Sequence, residues 1–194
     1  MADDDEMPQD LSAESSGGGS VALQSLAGLR DKGTYTLLIL VQDEREICVG
    51  SLQKRKFPRG FYAYTGSALG KGASGLPGRT GRHLKGVKKN RWHVDYLLSG
   101  ANSVVTAIVT AYSDRKMECA VNRHLKDGLH AQLLIPRFGS SDCKENCVSH
   151  LLYLGSDKNY AERIAQLYLE KTDGVVQIID LSKSSILEPA SALC

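Results

Sequence analysis

Tyr62, Tyr64, Arg79, Arg82 and His83 fall in a stretch, Lys54 to Arg91, that carries eleven Lys and Arg residues and no Asp or Glu. Cations at that density neutralise a polyanion with release of its counterions, phenols offer a hydroxyl and a stacking face, and glycines such as Gly60 and Gly66 let a backbone come close to a ligand. The combination points to phosphate, and a nucleic acid is the partner it implies. Lys54, Arg55, Lys56, Arg59, Arg82, Lys85, Lys88, Lys89 and Arg91 are the expected backbone contacts. His93 joins them if Asp95, two residues on, orients it beside the basic cleft. The competing reading makes Trp92, Val94 and Leu97-Leu98 core and His93 a hydrogen-bonded bystander.

A second group carries soft ligands. Cys143, Cys147 and His150 form C-x3-C-x2-H, with Asp142 beside them and His124 or His130 as candidate fourth partners for Zn2+. The spacing is not that of a standard finger, and free structural thiols are the alternative. Glu118 follows a polar turn and opens a helical pattern, where a carboxylate favours the positive helix end.

Several separated segments resemble known proteins. Gly33-Thr34-Tyr35 and Tyr64-Thr65-Gly66, followed by Arg79-x-x-Arg82-His83, resemble the GIY-YIG nuclease superfamily. More closely, Phe57 to Ala68, Arg82-His83-Leu84, Trp92 to Leu98, Glu118-Cys119-Ala120 and Phe138 to Cys143 resemble an archaeal-type family of unknown function (domain of unknown function 123), some members of which are fused to a repair glycosylase of the endonuclease III type. The resemblance covers about Lys32 to Gly155. It implies Tyr35 and Tyr64 as paired catalytic tyrosines, Arg79 as the helix arginine, His83 as the histidine one turn later and Glu118 as the ligand of Mg2+ or Mn2+.

Those roles suit phosphodiester cleavage, which needs an activated water and neutralised charge at phosphorus. Arg79 can fork onto non-bridging oxygens, and Tyr35 or His83 can take the water's proton. The expected function is metal-dependent cleavage of a nucleic-acid backbone, DNA rather than RNA, in repair or recombination. The alternative is a module of the same fold that binds nucleic acid without cutting it. Tyr35 and Tyr64 stand 29 positions apart, with an extra strand and Lys54-Arg55-Lys56 between them.

The elements that must position these residues follow from periodicity. Tyr35 to Val41 reads as a strand, hairpinned to a second near Glu46 to Leu52, and Phe61 to Ser67 as a third. Leu76 to Val87 places Leu76, Thr80, Leu84 and Val87 on one helical stripe and stacks Arg79 over His83. Val104 to Ala111 and Leu151 to Gly155 read as strands and Met117 to Lys126 as a helix. A last helix follows an Asp157 cap, and Val175 to Asp180 reads as an edge strand. The predicted class is α+β, a small, mostly antiparallel sheet flanked by helices, occupying residues 31–156, with a C-terminal helix and tail over 157–194.

Residues 1–30 read as a disordered acidic tail. Residues 1 to 29 hold six acids and no base, so beyond them 24 bases face 16 acids, and the overall charge of +2 conceals a body of +8. No apolar run approaches the roughly 18 residues of a membrane helix, and the start lacks the order of a secretory signal. Five widely spaced cysteines in a chain that needs no staples suit a reducing compartment. A soluble intracellular protein is expected.

Overall fold

The structure is a computed structural model that describes Leu26 and residues 28–86, 88–100 and 102–182. Among these are seven strands: β1 (Gly33–Val41), β2 (Arg45–Cys48), β3 (Lys54–Phe57), β4 (Gly60–Ala68), β5 (Ser103–Tyr112), β6 (Leu151–Gly155) and β7 (Val176–Asp180). The helices are α1 (Leu76–Leu84), α2 (His93–Leu98), α3 (Glu118–Gly128) and α4 (Tyr160–Lys171).

Strand β1 alternates Tyr35, Leu37 and Ile39 on one face with Thr34, Thr36 and Leu38 on the other, and all six are buried. A strand buried on both faces belongs in the interior of a sheet. It is the middle of five, in the order β6-β4-β1-β5-β7, with every neighbouring pair antiparallel. The expected hairpin between β1 and β2 does not form. β1 pairs with β4, and β2 pairs with β3 in a separate two-stranded sheet. Arg45, Glu46, Lys54, Arg55 and Lys56 explain why: such a polar pair of strands cannot take a place in a sheet covered on both sides.

One face of the large sheet packs Tyr35, Leu37, Ile39, Tyr62 and Tyr64 with Leu76 of α1, Val94 and Leu97 of α2, Phe57 and Phe138. The other packs Leu38, Ala63, Val109 and Leu152 with Val121 and Leu125 of α3 and Ile164 and Tyr168 of α4. Each fully buried Leu or Ile contributes about 1.5–3 kcal/mol relative to exposure. Thr36 sits in this second core because its hydroxyl meets Thr65 at 3.0 Å and the Tyr168 phenol at 2.7 Å.

The fold is therefore α+β, a small antiparallel sheet flanked by helices. Helix α1 stops at Leu84, before the expected Val87, which lies outside the described residues. The Lys88 ammonium donates to the carbonyls of His83 (2.8 Å) and Lys85 (3.0 Å), satisfying acceptors that the helix end leaves open. Asn159, not Asp157, precedes α4. The expected acidic tail lies outside the described residues, apart from Leu26 and residues 28–30; Leu26 and Leu29 are buried in the first core. Residues 183–194 also lie outside.

Candidate active site and thiol cluster

The register of β1 with β4 sets Tyr35 opposite Gly66 and Leu37 opposite Tyr64, so both tyrosines project from one face of adjacent strands. Their separation along the chain does not matter, because β2 and β3 leave the sheet between them. Gly66 has a spatial reason: a Cβ there would lie 2.7 Å from the Tyr35 hydroxyl oxygen, so only glycine lets the phenol cross β4. The Tyr35 hydroxyl is 2.9 Å from His83 Nε2, and the Tyr64 and His83 rings meet edge-on at 6.2 Å between centroids. Burial pushes both phenols above the ordinary tyrosine range; for Tyr35 the nearby Arg79 guanidinium only partly opposes it. Burial also pulls the His83 imidazole below its usual range, more strongly than Asp95 raises it, so the ring is neutral at neutral pH.

Asp95 organises the far side of that histidine. Its carboxylate is fully buried. Oδ1 accepts from Arg82 at 2.8 Å and faces His83 Nδ1 at 3.7 Å, while Oδ2 accepts from the Arg91 and Trp92 backbone N–H groups at 2.9 and 3.0 Å. Burial alone would raise its pKa, but these donors and His83 outweigh burial and hold the carboxyl well below the usual carboxylate range. The sequence reading that joined Asp95 to His93 is corrected here. Asp95 faces His83, and His93 Nδ1 accepts the Gly139 N–H at 3.0 Å. An acid three residues into a short helix is a start signal that could have flagged this role.

Arg79 and Glu118 meet through Ser67, a residue to which the sequence analysis gave no role. Arg79 donates to the Ser67 carbonyl at 3.0 Å, and the Ser67 hydroxyl donates to Glu118 Oε2. The Lys116 ammonium lies 2.8 Å from Glu118 Oε1. Helix α3 belongs to the other face of the sheet, yet its first residue reaches the edge of β4 because β6 pairs with β4 only as far as Tyr64. Glu118 is 5 % exposed and close enough to Tyr35 to act on its ionisation. Tyr35, Tyr64, Arg79, His83 and Glu118 thus surround the end of β4.

The family model described as a domain of unknown function, DUF123, matches residues 34–172. The chain belongs to the DUF123 family. No curated protein and no solved structure matches it.

The cations of the DUF123 domain divide into engaged and outward-facing groups. Arg82 is held by Asp95 and the Lys89 carbonyl and stacks 4.5 Å over Trp92, and Lys88 closes α1. Lys54 pairs with Glu46 on the neighbouring strand, and Lys56 with Glu44 at 2.7 Å. Arg55, Arg59, Lys85, Lys89 and Arg91 are exposed. Glu44 and Glu46, just upstream of the acid-free stretch, fold back onto the basic strand.

Among the described residues of the domain, Cys119, Cys143, Cys147 and His150 offer ligand atoms that all lie within 4.8 Å of one another, a set able to hold a metal ion. The fourth partner is Cys119 of α3, not His124, His130 or Asp142. His124 instead pairs with Glu170 at 3.0 Å, and His130 and Asp142 are exposed. Local spacing could not reveal a ligand 24 residues upstream. No helix among the described residues is long and apolar enough to cross a membrane.

Proposed function

We propose that the edge of β4 is a phosphodiester-hydrolysing site of the kind found in GIY-YIG nucleases, acting on DNA. The observation that carries this reading is the bridge through Ser67, which joins the arginine of α1 to the carboxylate of α3 beside the Tyr35–His83 pair. Gly33-Thr34-Tyr35 and Tyr64-Thr65-Gly66 support it further, since they occupy adjacent strands and present their tyrosines on one face.

Each residue has a task that its surroundings allow. The Arg79 guanidinium is only partly buried and can fork onto non-bridging phosphate oxygens. With the His83 proton on Nδ1, facing Asp95, Nε2 accepts from the Tyr35 hydroxyl. Tyr35 can then take a proton from water while passing its own to His83, and Asp95 stabilises the imidazolium that results. High phenol and low imidazole pKa values suit this division, because Tyr35 relays as a neutral phenol and His83 starts neutral.

Glu118 is the residue that would hold Mg2+ or Mn2+. A single buried carboxylate beside a serine hydroxyl fits a hard ion that takes most of its oxygens from phosphate and water. Such an ion supplies charge neutralisation at phosphorus.

A second reading has its own observation. The Lys116 ammonium already neutralises Glu118, which favours a nucleic-acid-binding module that does not cut. The test is an assay of the whole chain on flapped, branched and damaged DNA with Mg2+ or Mn2+. Cleavage that Glu118→Ala abolishes while DNA binding persists supports hydrolysis; tight binding with every substrate left whole supports the module.

A further inference from the structure

We infer that Cys119, Cys143, Cys147 and His150 bind one Zn2+ ion, and that this ion ties the helix carrying Glu118 to the loop behind Tyr64. Three thiols and an imidazole are the donor set of a closed tetrahedral zinc site, whereas Mg2+ and Mn2+ prefer oxygen. Tetrahedral ligands at Zn–S lengths of about 2.3 Å stand about 3.8 Å apart. Cys119 Sγ lies 3.4 Å from Cys143 Sγ and 3.7 Å from His150 Nε2, so the set is gathered at nearly the right spacing. The two sulfurs are too far apart for a disulfide, whose bond is about 2.05 Å.

The surroundings match the charge of such a centre. Zn2+ with three thiolates and a neutral imidazole carries one negative charge, and the Arg123 guanidinium donates to Cys147 Sγ at 3.6 Å. Arg123 is itself positioned by Glu145 at 2.7 Å, within the Cys143 to Cys147 turn.

The ligands come from two parts of the chain that the Arg123–Glu145 pair also joins. Cys119 is on α3, next to Glu118; the other three lie in the segment between Phe138 and β6. The Asn122 side chain adds one buried bond to the Ser149 carbonyl at 2.8 Å. That same segment backs the tyrosine: Phe138 meets the Tyr64 ring edge-on at 6.2 Å, and a Cβ on Gly139 would lie 2.7 Å from it. One ion would therefore join the start of α3, which carries Glu118, to the segment that backs Tyr64. Its consequence for cleavage rests on the hydrolytic reading above; metal binding does not.

The test begins with elemental analysis of the whole chain, purified under reducing conditions without added zinc. About one Zn2+ per chain is expected, retained in Cys48→Ser and Glu118→Ala and lost in Cys119→Ser and Cys147→Ser. Should those variants fail to fold, Co2+ titration of chelator-treated wild-type protein decides, with thiolate-to-cobalt absorption saturating at one equivalent. Stripping the ion should lower the melting temperature by about 5 °C or more. Folded wild-type protein with neither stoichiometric zinc nor a cobalt–thiolate band overturns the site, as does a Cys119–Cys143 disulfide found by alkylation and mass spectrometry. An unchanged melting temperature after stripping overturns the tie. Zinc bound by a chain that cuts nothing leaves this site standing and removes the hydrolytic reading alone.

Discussion

The residues grouped at the end of β4 and the thiol cluster beside them include chain neighbours, Glu118 and Cys119, yet the two are assembled by different physics. The first group is set by strand register, by the Tyr35–His83 hydrogen bond and by the donors that hold Asp95, so these residues would keep their places with nothing bound. The cluster gathers three sulfurs and a ring nitrogen that only a cation would hold together strongly. A site of the first kind is preorganised by the fold, whereas one of the second kind is completed by what it binds.

Gly66 is the place where that contrast breaks most sharply. Gly66→Ala puts a methyl 2.7 Å from the Tyr35 oxygen, and an ångström-scale displacement of a catalytic group costs about 100-fold in rate. We predict that loss in single-turnover cleavage, with the metal content of the thiol cluster unchanged. Asp95→Asn probes the frame around His83. It leaves the half-buried Arg82 without its charge partner and His83 without its orienting acid, and urea unfolding should show a loss of about 3 kcal/mol.

A smaller effect is expected from acid. His83 and His93 have folded pKa values below the ordinary value of 6.5, chiefly through burial, so the unfolded chain binds their protons more readily. Their contribution is complete above about pH 6.5 and is lost as pH falls through the folded values. Asp95, also depressed, adds a further loss below about pH 4. Urea midpoints measured from pH 8 to pH 4 should fall with this sign, and His83→Gln should flatten the slope. The smallest effect belongs to Lys54→Ala with Lys56→Ala, a doubly exposed pair of surface contacts: melting should not move measurably, while DNA binding loses part of its salt dependence.

Much of the sheet was legible in the sequence, because alternation and helical stripes are local signals, whereas the grouping of Tyr35, Tyr64, Arg79, His83 and Glu118 came from the family resemblance. Tyr35, Tyr64, Arg79 and His83 fell on the expected elements, and the structure brings them together with Glu118. What was missed depends on contacts between distant segments. Adjacency along the chain suggested that β1 and β2 pair, but only the burial of both faces of β1 shows that β2 is too polar to join it. Asp95 was tied to the histidine two residues away rather than the one twelve residues upstream across the helix packing. Cys119 carried no local mark as a ligand, being a single buried cysteine in an amphipathic helix.

The central claim, that Glu118 and His83 serve one site from opposite layers of the sheet, is tested most directly by a double-mutant cycle in single-turnover cleavage of flapped DNA with Mn2+. Groups that act as a unit are strongly non-additive. We predict that Glu118→Ala and His83→Gln each lower the rate about 100-fold or more and that the double variant is no slower than the worse of the two. Losses that multiply, or a wild-type chain that binds the flap and leaves it whole, would contradict the account.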